Sequence, residues 1–150
     1  MVTGGSRGIG AATVKLAARR GYDVAINYRA RQAAAEVVAA DAARHGVRAI
    51  AVQGDVAEES DVVRLFERVD GELGRLTGLV NNAGIVGPVA RVQDLDAGAL
   101  KAVLDLNVAG SFLCAREAVR RMSTANGGHG GAIAASPRLA SPARLRPRIA

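Results

Sequence analysis

At 150 residues the chain has the size of one domain, long enough to bury roughly two-thirds of its unfolded surface. Aromatic residues make up only 3% of it while Ala, Val, Leu and Gly dominate, which argues against a base-stacking nucleic-acid surface and for an aliphatic core of helices and buried parallel strands. The net charge of +6 is mostly a tail effect: residues 1–126 hold 16 of the 20 Lys/Arg and all 14 acids, whereas residues 127–150 add Arg138, Arg144, Arg146 and Arg148 with no acid.

No apolar run is expected to cross a bilayer and no leader pattern opens the chain, so the expectation is a soluble, cytoplasmic protein with no membrane or nucleic-acid partner. Cys114 is the single cysteine and, set in an apolar helical pattern, is expected to pack rather than react. No metal site is expected.

In chain order, Met1-Val2-Thr3 opens as a short apolar strand and runs into Gly4-Gly5-Ser6-Arg7-Gly8-Ile9-Gly10, a glycine-rich turn leading into a helix. Such a turn leaves the first helical N–H groups without intrahelical partners and aims the positive end of the helix dipole into the bend, the arrangement that holds a pyrophosphate. Gly4 would permit the tight turn, Gly8 the close approach of a diphosphate, and Gly10 the packing of helix on strand. The spacing T-G-x-x-x-G-x-G differs from the general G-x-G-x-x-G fingerprint, and no Gly-Lys-Ser/Thr follows to make a P-loop.

The helix from Ile9 to Arg20 ends at Gly21, and Val24-Ala25-Ile26 reads as a buried strand ending at Asn27-Tyr28-Arg29. An Ala-rich helix follows over Gln32–Arg44 and closes at Gly46; Val47–Val52 is the next strand, ending in Gln53-Gly54-Asp55-Val56. Asp61–Leu73 is amphipathic, with Val62, Leu65, Phe66, Val69 and Leu73 on one face. Gly78-Leu79-Val80 leads into the polar turn Asn81-Asn82-Ala83-Gly84, and a long helix over Ala97–Met122 is interrupted at Asn107 and Gly110. This alternation predicts an α/β fold, a doubly wound parallel sheet of Rossmann-like type, with ligands beyond the carboxyl ends of the strands. Four strand ends then converge on one crevice.

Taken jointly, Thr3 to Gly10, Gly54-Asp55-Val56, Asn81-Asn82-Ala83-Gly84 and Leu106-Asn107-Val108 resemble the motifs of the short-chain dehydrogenases/reductases, over residues 1–133. Within that family the chain is similar to the 3-oxoacyl-ACP reductase and glucose 1-dehydrogenase-like branches. The resemblance implies a Rossmann-type fold, a nicotinamide dinucleotide and hydride transfer between a small carbonyl and its alcohol. It makes Gly4, Ser6, Arg7, Gly8, Ile9, Gly10, Arg29, Asp55, Val56, Asn82, Ala83 and Gly84 cofactor-binding residues, with Asp55 touching the adenine and Asn82 lying beside the cofactor. It assigns Asn107 to a break in the long helix whose carbonyl holds a water of the proton relay. At the second strand end Tyr28 stands where an NAD-type site has a carboxylate, with Arg29 next to it and Arg7 within reach, so NADP is expected over NAD.

The resemblance also implies a Ser and a Tyr-x-x-x-Lys pair, in which the lysine depresses the tyrosine pKa for acid/base work. The sequence has neither: its tyrosines are Tyr22 and Tyr28, its lysines Lys15 and Lys101, and Arg138 falls where the serine is expected, with Ser136 and Ser141 nearby. The segment 134–150, with Pro137, Pro142 and Pro147, is expected to be a disordered Arg/Pro-rich tail, its abrupt composition suggesting a shifted reading frame. The sheet is expected to be incomplete, with a short first strand and no elements after the fifth. Two readings follow: an impaired, truncated oxidoreductase whose Asn107 is a catalytic remnant, or a non-catalytic NADP-binding module. A nucleic-acid binder acting through the arginine tail is a distant third. The helix over 97–122 is the remaining surface for homo-oligomer formation.

Overall fold

The computed structural model describes residues 1–135. Its strands are β1 (Val24–Tyr28), β2 (Ala49–Gln53), β3 (Gly78–Asn81) and β4 (Ala132–Ala135), and its α-helices α1 (Gly8–Arg19), α2 (Gln32–Ala43), α3 (Glu59–Leu73), α4 (Ala97–Leu104) and α5 (Gly110–Met122). β1 pairs parallel with β2 from Val24↔Ala49 to Tyr28↔Gln53, and β3 with β4 from Gly78↔Ala132 to Asn81↔Ala135. Val2 stands between the pairs, bridged in parallel to Ile26 on one side and Val80 on the other. The order is therefore β2, β1, Val2, β3, β4, a parallel Rossmann-like sheet whose central strand is a single bridged residue.

Side chains alternate across this sheet as the two-residue strand period requires. Ala25 faces a core built with Val62, Leu65, Phe66 and Val69 of α3 and Cys114, Ala118 and Met122 of α5. Val24, Ile26 and Tyr28 face the opposite core, with Val14 and Ala18 of α1 and Ala35, Val38 and Ala42 of α2. All five residues of β1 are buried, as expected of a strand covered by helices on both faces. Cys114 is fully buried, and desolvation pushes its thiol pKa up to about 12, so it packs and does not react.

The long helix breaks where the sequence suggested. α4 passes through a π turn over Asp105–Ala109 before α5 begins, and a Cβ on Gly110 would lie 2.7 Å from the Val56 carbonyl. One expectation is corrected here: the helical stretch Ala97–Met122, 26 residues long, is apolar enough by composition to cross a bilayer, although no such run was expected. Its second half carries Glu117 among Arg116, Arg120 and Arg121, and the Asp70 carboxylate of α3 accepts from Arg121 at 2.6 Å, so that half packs on α3 through ion pairs. Burial opposes ionisation of Glu117, but the guanidiniums around it outweigh that and hold its carboxyl below the ordinary range. β4 runs from Ala132 to Ala135, two residues past the boundary expected at 133. The rest of the expected tail lies outside the described residues.

Candidate functional site

The glycine turn adopts backbone that only glycine takes easily: Gly4 has φ +60° and Gly8 has φ +56°. A Cβ on Gly4 would meet the Ala83 Cα at 2.9 Å, whereas one on Gly8 would meet nothing within 4 Å, so Gly8 faces open space. Gly10 has a role beyond the expected packing of helix on strand: its Cβ would lie 2.5 Å from Asn82 Nδ2 and 2.6 Å from the Gly4 carbonyl. The first helical bond runs from the Ala11 N–H to the Arg7 carbonyl, and Arg7 supplies no side-chain cap. The N–H groups of Ser6, Arg7, Gly8, Ile9 and Gly10 consequently have no hydrogen-bond partner among the described residues. Five donors at a helix start form a ready anion site.

Three buried polar side chains hold this turn against the neighbouring strand ends. The Thr3 hydroxyl accepts from the Asn82 N–H at 2.9 Å and the Ala83 N–H at 3.0 Å. Asn82 returns the link, its Nδ2 donating to the carbonyls of Thr3 at 3.0 Å and Gly4 at 3.1 Å. Asn27 accepts from the Gly4 N–H at 3.2 Å and donates to the Gly54 carbonyl at 2.9 Å. Farther out, Asp61 accepts from the Asp55 N–H at 2.9 Å, a bond that, ahead of the Arg64 contact, holds the Asp61 carboxyl below the ordinary range. The sequence motifs do not mark Thr3 or Asn27 as site residues, although a polar residue inside a fully buried strand, as Asn27 is, requires a partner.

The strand ends enclose a cavity of about 210 Å3. Of the expected residues, Gly4, Ser6, Arg7, Arg29, Asp55, Val56, Ala83 and Gly84 line it; Gly8, Ile9 and Gly10 stand behind at the start of α1. Asn82 does not line it: at 2% exposure, with its amide turned into the glycine turn, Asn82 positions the cradle and does not face the cavity. Arg31, which no sequence motif marks, joins Arg7 and Arg29 in the lining. The Asp55 carboxylate caps the Ala57 N–H at 3.1 Å and faces the Arg29 guanidinium at 3.4 Å. The mouth thus holds three guanidiniums against one carboxylate.

Asn107 does not itself line this cavity, although its neighbour Leu106 and Ile85, the residue it holds, both do. Its side chain accepts from the Ile85 N–H at 2.9 Å and donates to the Ile85 carbonyl at 2.8 Å, clamping the segment after β3, while its own carbonyl accepts the Ser111 hydroxyl at 2.9 Å. One lone pair of the carbonyl expected to hold a relay water is therefore engaged by Ser111. No tyrosine or lysine converges on Asn107. Tyr22 lies at the opposite end of the sheet, Tyr28 is buried in β1, Lys15 pairs with Asp41, and Lys101 pairs with Asp105. Ser136, Arg138 and Ser141 fall outside the described residues.

A parallel sheet with a glycine turn at its centre, free helix-start amides and cationic strand ends defines a dinucleotide-binding α/β protein. The chain belongs to the short chain dehydrogenase family, whose profile matches residues 1–136. It is 46% identical over 146 residues to the uncharacterized oxidoreductase YgfF of Escherichia coli K12, a match covering 95% of this chain and 59% of that protein. It is 38% identical to the 3-oxoacyl-[acyl-carrier-protein] reductase of Synechocystis, over 81% of this chain and 49% of the reductase. A short chain dehydrogenase from Burkholderia cenocepacia J2315, solved in complex with NADP, superposes with a TM-score of 0.76 at 42% identity, covering 80% of this chain and 49% of that one. The chain thus spans roughly half to three-fifths of the length of these relatives.

Proposed function

We propose that this chain is the dinucleotide-binding portion of a short-chain dehydrogenase/reductase, that it takes NADP in preference to NAD, and that its 150 residues alone do not complete hydride transfer. The run of five unpartnered N–H groups at the Ser6–Gly10 turn supports the first statement, because nothing in the described residues satisfies them and the open face at Gly8 leaves room for a diphosphate. Arg7, Arg29 and Arg31 around the cavity support the second, since a 2′-phosphate calls for guanidinium forks where a free 2′-hydroxyl calls for a carboxylate. Arg29 would exchange its long contact with Asp55 for that phosphate. The bound dinucleotide would supply the hydride; the chain would hold and orient it, with a small carbonyl or alcohol as substrate. The lack of a Tyr-x-x-x-Lys pair in the sequence supports the third statement, and Asn107 then serves as a clamp on the cofactor-side loop.

Fluorescence titration with NADPH and NADH tests the reading. Arg29→Ala is expected to weaken NADPH by about 10- to 100-fold, the value of one charge-assisted contact of about 1.5–3 kcal/mol, and to leave NADH nearly unchanged. Equal loss for both nucleotides would remove the 2′-phosphate assignment. Carbonyl-dependent oxidation of NADPH by the purified chain would instead overturn the non-catalytic part.

The partner proposed for the long helix is a second copy of the chain. Leu100, Leu104, Val108 and Phe112 recur every four residues along it and are all exposed, forming an apolar stripe with no cover among the described residues.

A further inference from the structure

The Gly54–Asp55 peptide, where β2 runs out into the nucleotide cavity, is held from both sides by side chains. Its carbonyl accepts from Asn27 Nδ2 at 2.9 Å, and its N–H donates to the Asp61 carboxylate at 2.9 Å. No main-chain group bonds to this peptide among the described residues, whereas its neighbours are held by backbone. The Gly54 N–H donates to the Tyr28 carbonyl at 2.9 Å, and the Glu58 N–H donates to the Asp55 carbonyl at 3.0 Å. A Cβ on Gly54 would lie 3.6 Å from the Asp61 Cβ and 3.8 Å from Asn27 Nδ2, so the two side chains flank the peptide in ordinary contact.

The local sequence makes such a hold necessary. Gly54 has no Cβ, so the peptide after it turns over at little steric cost. Asp55 follows directly, and any turn of that plane re-aims its carboxylate. That carboxylate lines the cavity, accepts from the Ala57 N–H at 3.1 Å and faces Arg29 at 3.4 Å. A carboxylate has about four acceptor sites, so capacity remains for a ligand donor.

Asp61 is well placed to fix the plane. It sits in the first turn of α3, where the helix dipole favours a carboxylate, and reaches back to the Asp55 N–H with one oxygen. Its other oxygen accepts from Arg64, which sets the rotation of the carboxylate. Asp61 does not line the cavity, so its route to a ligand runs through Asp55.

We propose that Asp61 is a positioning residue of the nucleotide site: together with Asn27 it pins the Gly54–Asp55 peptide and so aims the Asp55 carboxylate at the base of the bound dinucleotide. This inference rests on the dinucleotide reading above. Because a carboxylate only accepts hydrogen bonds, what it selects on a base is an exocyclic amino group, which adenine has and hypoxanthine replaces with a carbonyl. Asn27 also holds the Gly4 N–H, so its loss would reach the diphosphate cradle, and Asp61 is the cleaner side to perturb.

The test is fluorescence titration of the 150-residue chain with NADPH and with its hypoxanthine analogue. The parent is expected to prefer the adenine form about tenfold. Asp61→Ala is expected to bring the two forms within about twofold of each other by weakening NADPH alone, in protein of unchanged circular dichroism. Asp61→Asn, whose amide oxygen still accepts from the Asp55 N–H, is expected to keep the preference. Asp55→Ala and Asp55→Ala/Asp61→Ala are expected to bind NADPH within about twofold of each other, since the second residue acts through the first. The parent supplies a further reading without any variant: hydrogen exchange should find the Asp55 amide protected both free and with NADPH bound. Folded parent that binds no NADPH overturns the dinucleotide reading and this proposal with it. The proposal alone falls if the parent has no adenine preference or its Asp55 amide is unprotected in the complex. It also falls if Asp61→Ala keeps the preference, weakens both forms equally, or adds its loss to that of Asp55→Ala.

Discussion

Replacing Thr3 with valine removes one hydroxyl from a site that is 1% exposed and changes the side-chain shape very little. That oxygen is the acceptor for two main-chain donors, the N–H groups of Asn82 at 2.9 Å and Ala83 at 3.0 Å. Without it both are left facing a methyl group, and a buried donor stripped of its partner costs about 1–3 kcal/mol. Asn82 is buried and Ala83 half-buried, so the second donor recovers some hydration and the total comes to about 2–4 kcal/mol. A domain of this size has about 5–15 kcal/mol in hand and shifts its midpoint by about 2–4 °C per kcal/mol, so Thr3→Val should melt about 4–15 °C lower. Urea unfolding followed by circular dichroism measures the change, with Thr3→Ser as the control that keeps the oxygen and loses only a methyl. If Thr3→Val unfolds within about 0.5 kcal/mol of the parent, or if Thr3→Ser loses as much, the hydroxyl does not hold the end of β3 and the reasoning fails.

Two glycine substitutions should move in opposite directions. Gly10→Ala, whose Cβ would press on Asn82 Nδ2 and the Gly4 carbonyl, is expected to lose about 2–4 kcal/mol by overpacking and a broken bond. Gly71→Ala in α3, where a Cβ meets nothing within 4 Å, is expected to gain about 0.5–1 kcal/mol; denaturant midpoints of the pair decide the matter. Asp23, held low first by the Arg48 N–H, and Asp61, held low first by the Asp55 N–H, both have folded-state pKa values below their unfolded ones. Their contribution to stability is therefore full above the ordinary carboxylate range of about 4 and drains away as pH falls below it. An acid titration of the urea midpoint should show that loss, weakened in Asp61→Asn. Phe112→Asp, which puts a charge in the exposed stripe of the long helix, is expected to convert a self-associating chain into monomer by sedimentation, and an unchanged mass would place the contact elsewhere.

Local features were readable from the residues alone, and features joining distant residues were not. The glycine turn, the amphipathic period of α3 and the breaks at Asn107 and Gly110 depend on neighbours within a few positions, so spacing exposed them. The link from Thr3 to Asn82 spans 79 positions and depends on the two strand ends lying side by side in the sheet. That is why the sequence places Asn82 beside a cofactor without showing that its amide holds the turn. Arg31 reads as an ordinary surface charge until the end of β1 brings it to the cavity beside Arg29. The helix over 97–122 has the length and composition of a span because four of its six charges, Arg116, Glu117, Arg120 and Arg121, lie toward one end.

The central claim is that main-chain amides at one bend grip an anionic dinucleotide. Isothermal calorimetry of the folded chain with NADPH, run beside Gly8→Asp, tests it most directly. The account predicts saturable heat for the parent chain and at least tenfold weaker binding for the variant, whose carboxylate would face the same amides. No heat from folded parent chain, or equal binding by the two proteins, would contradict it.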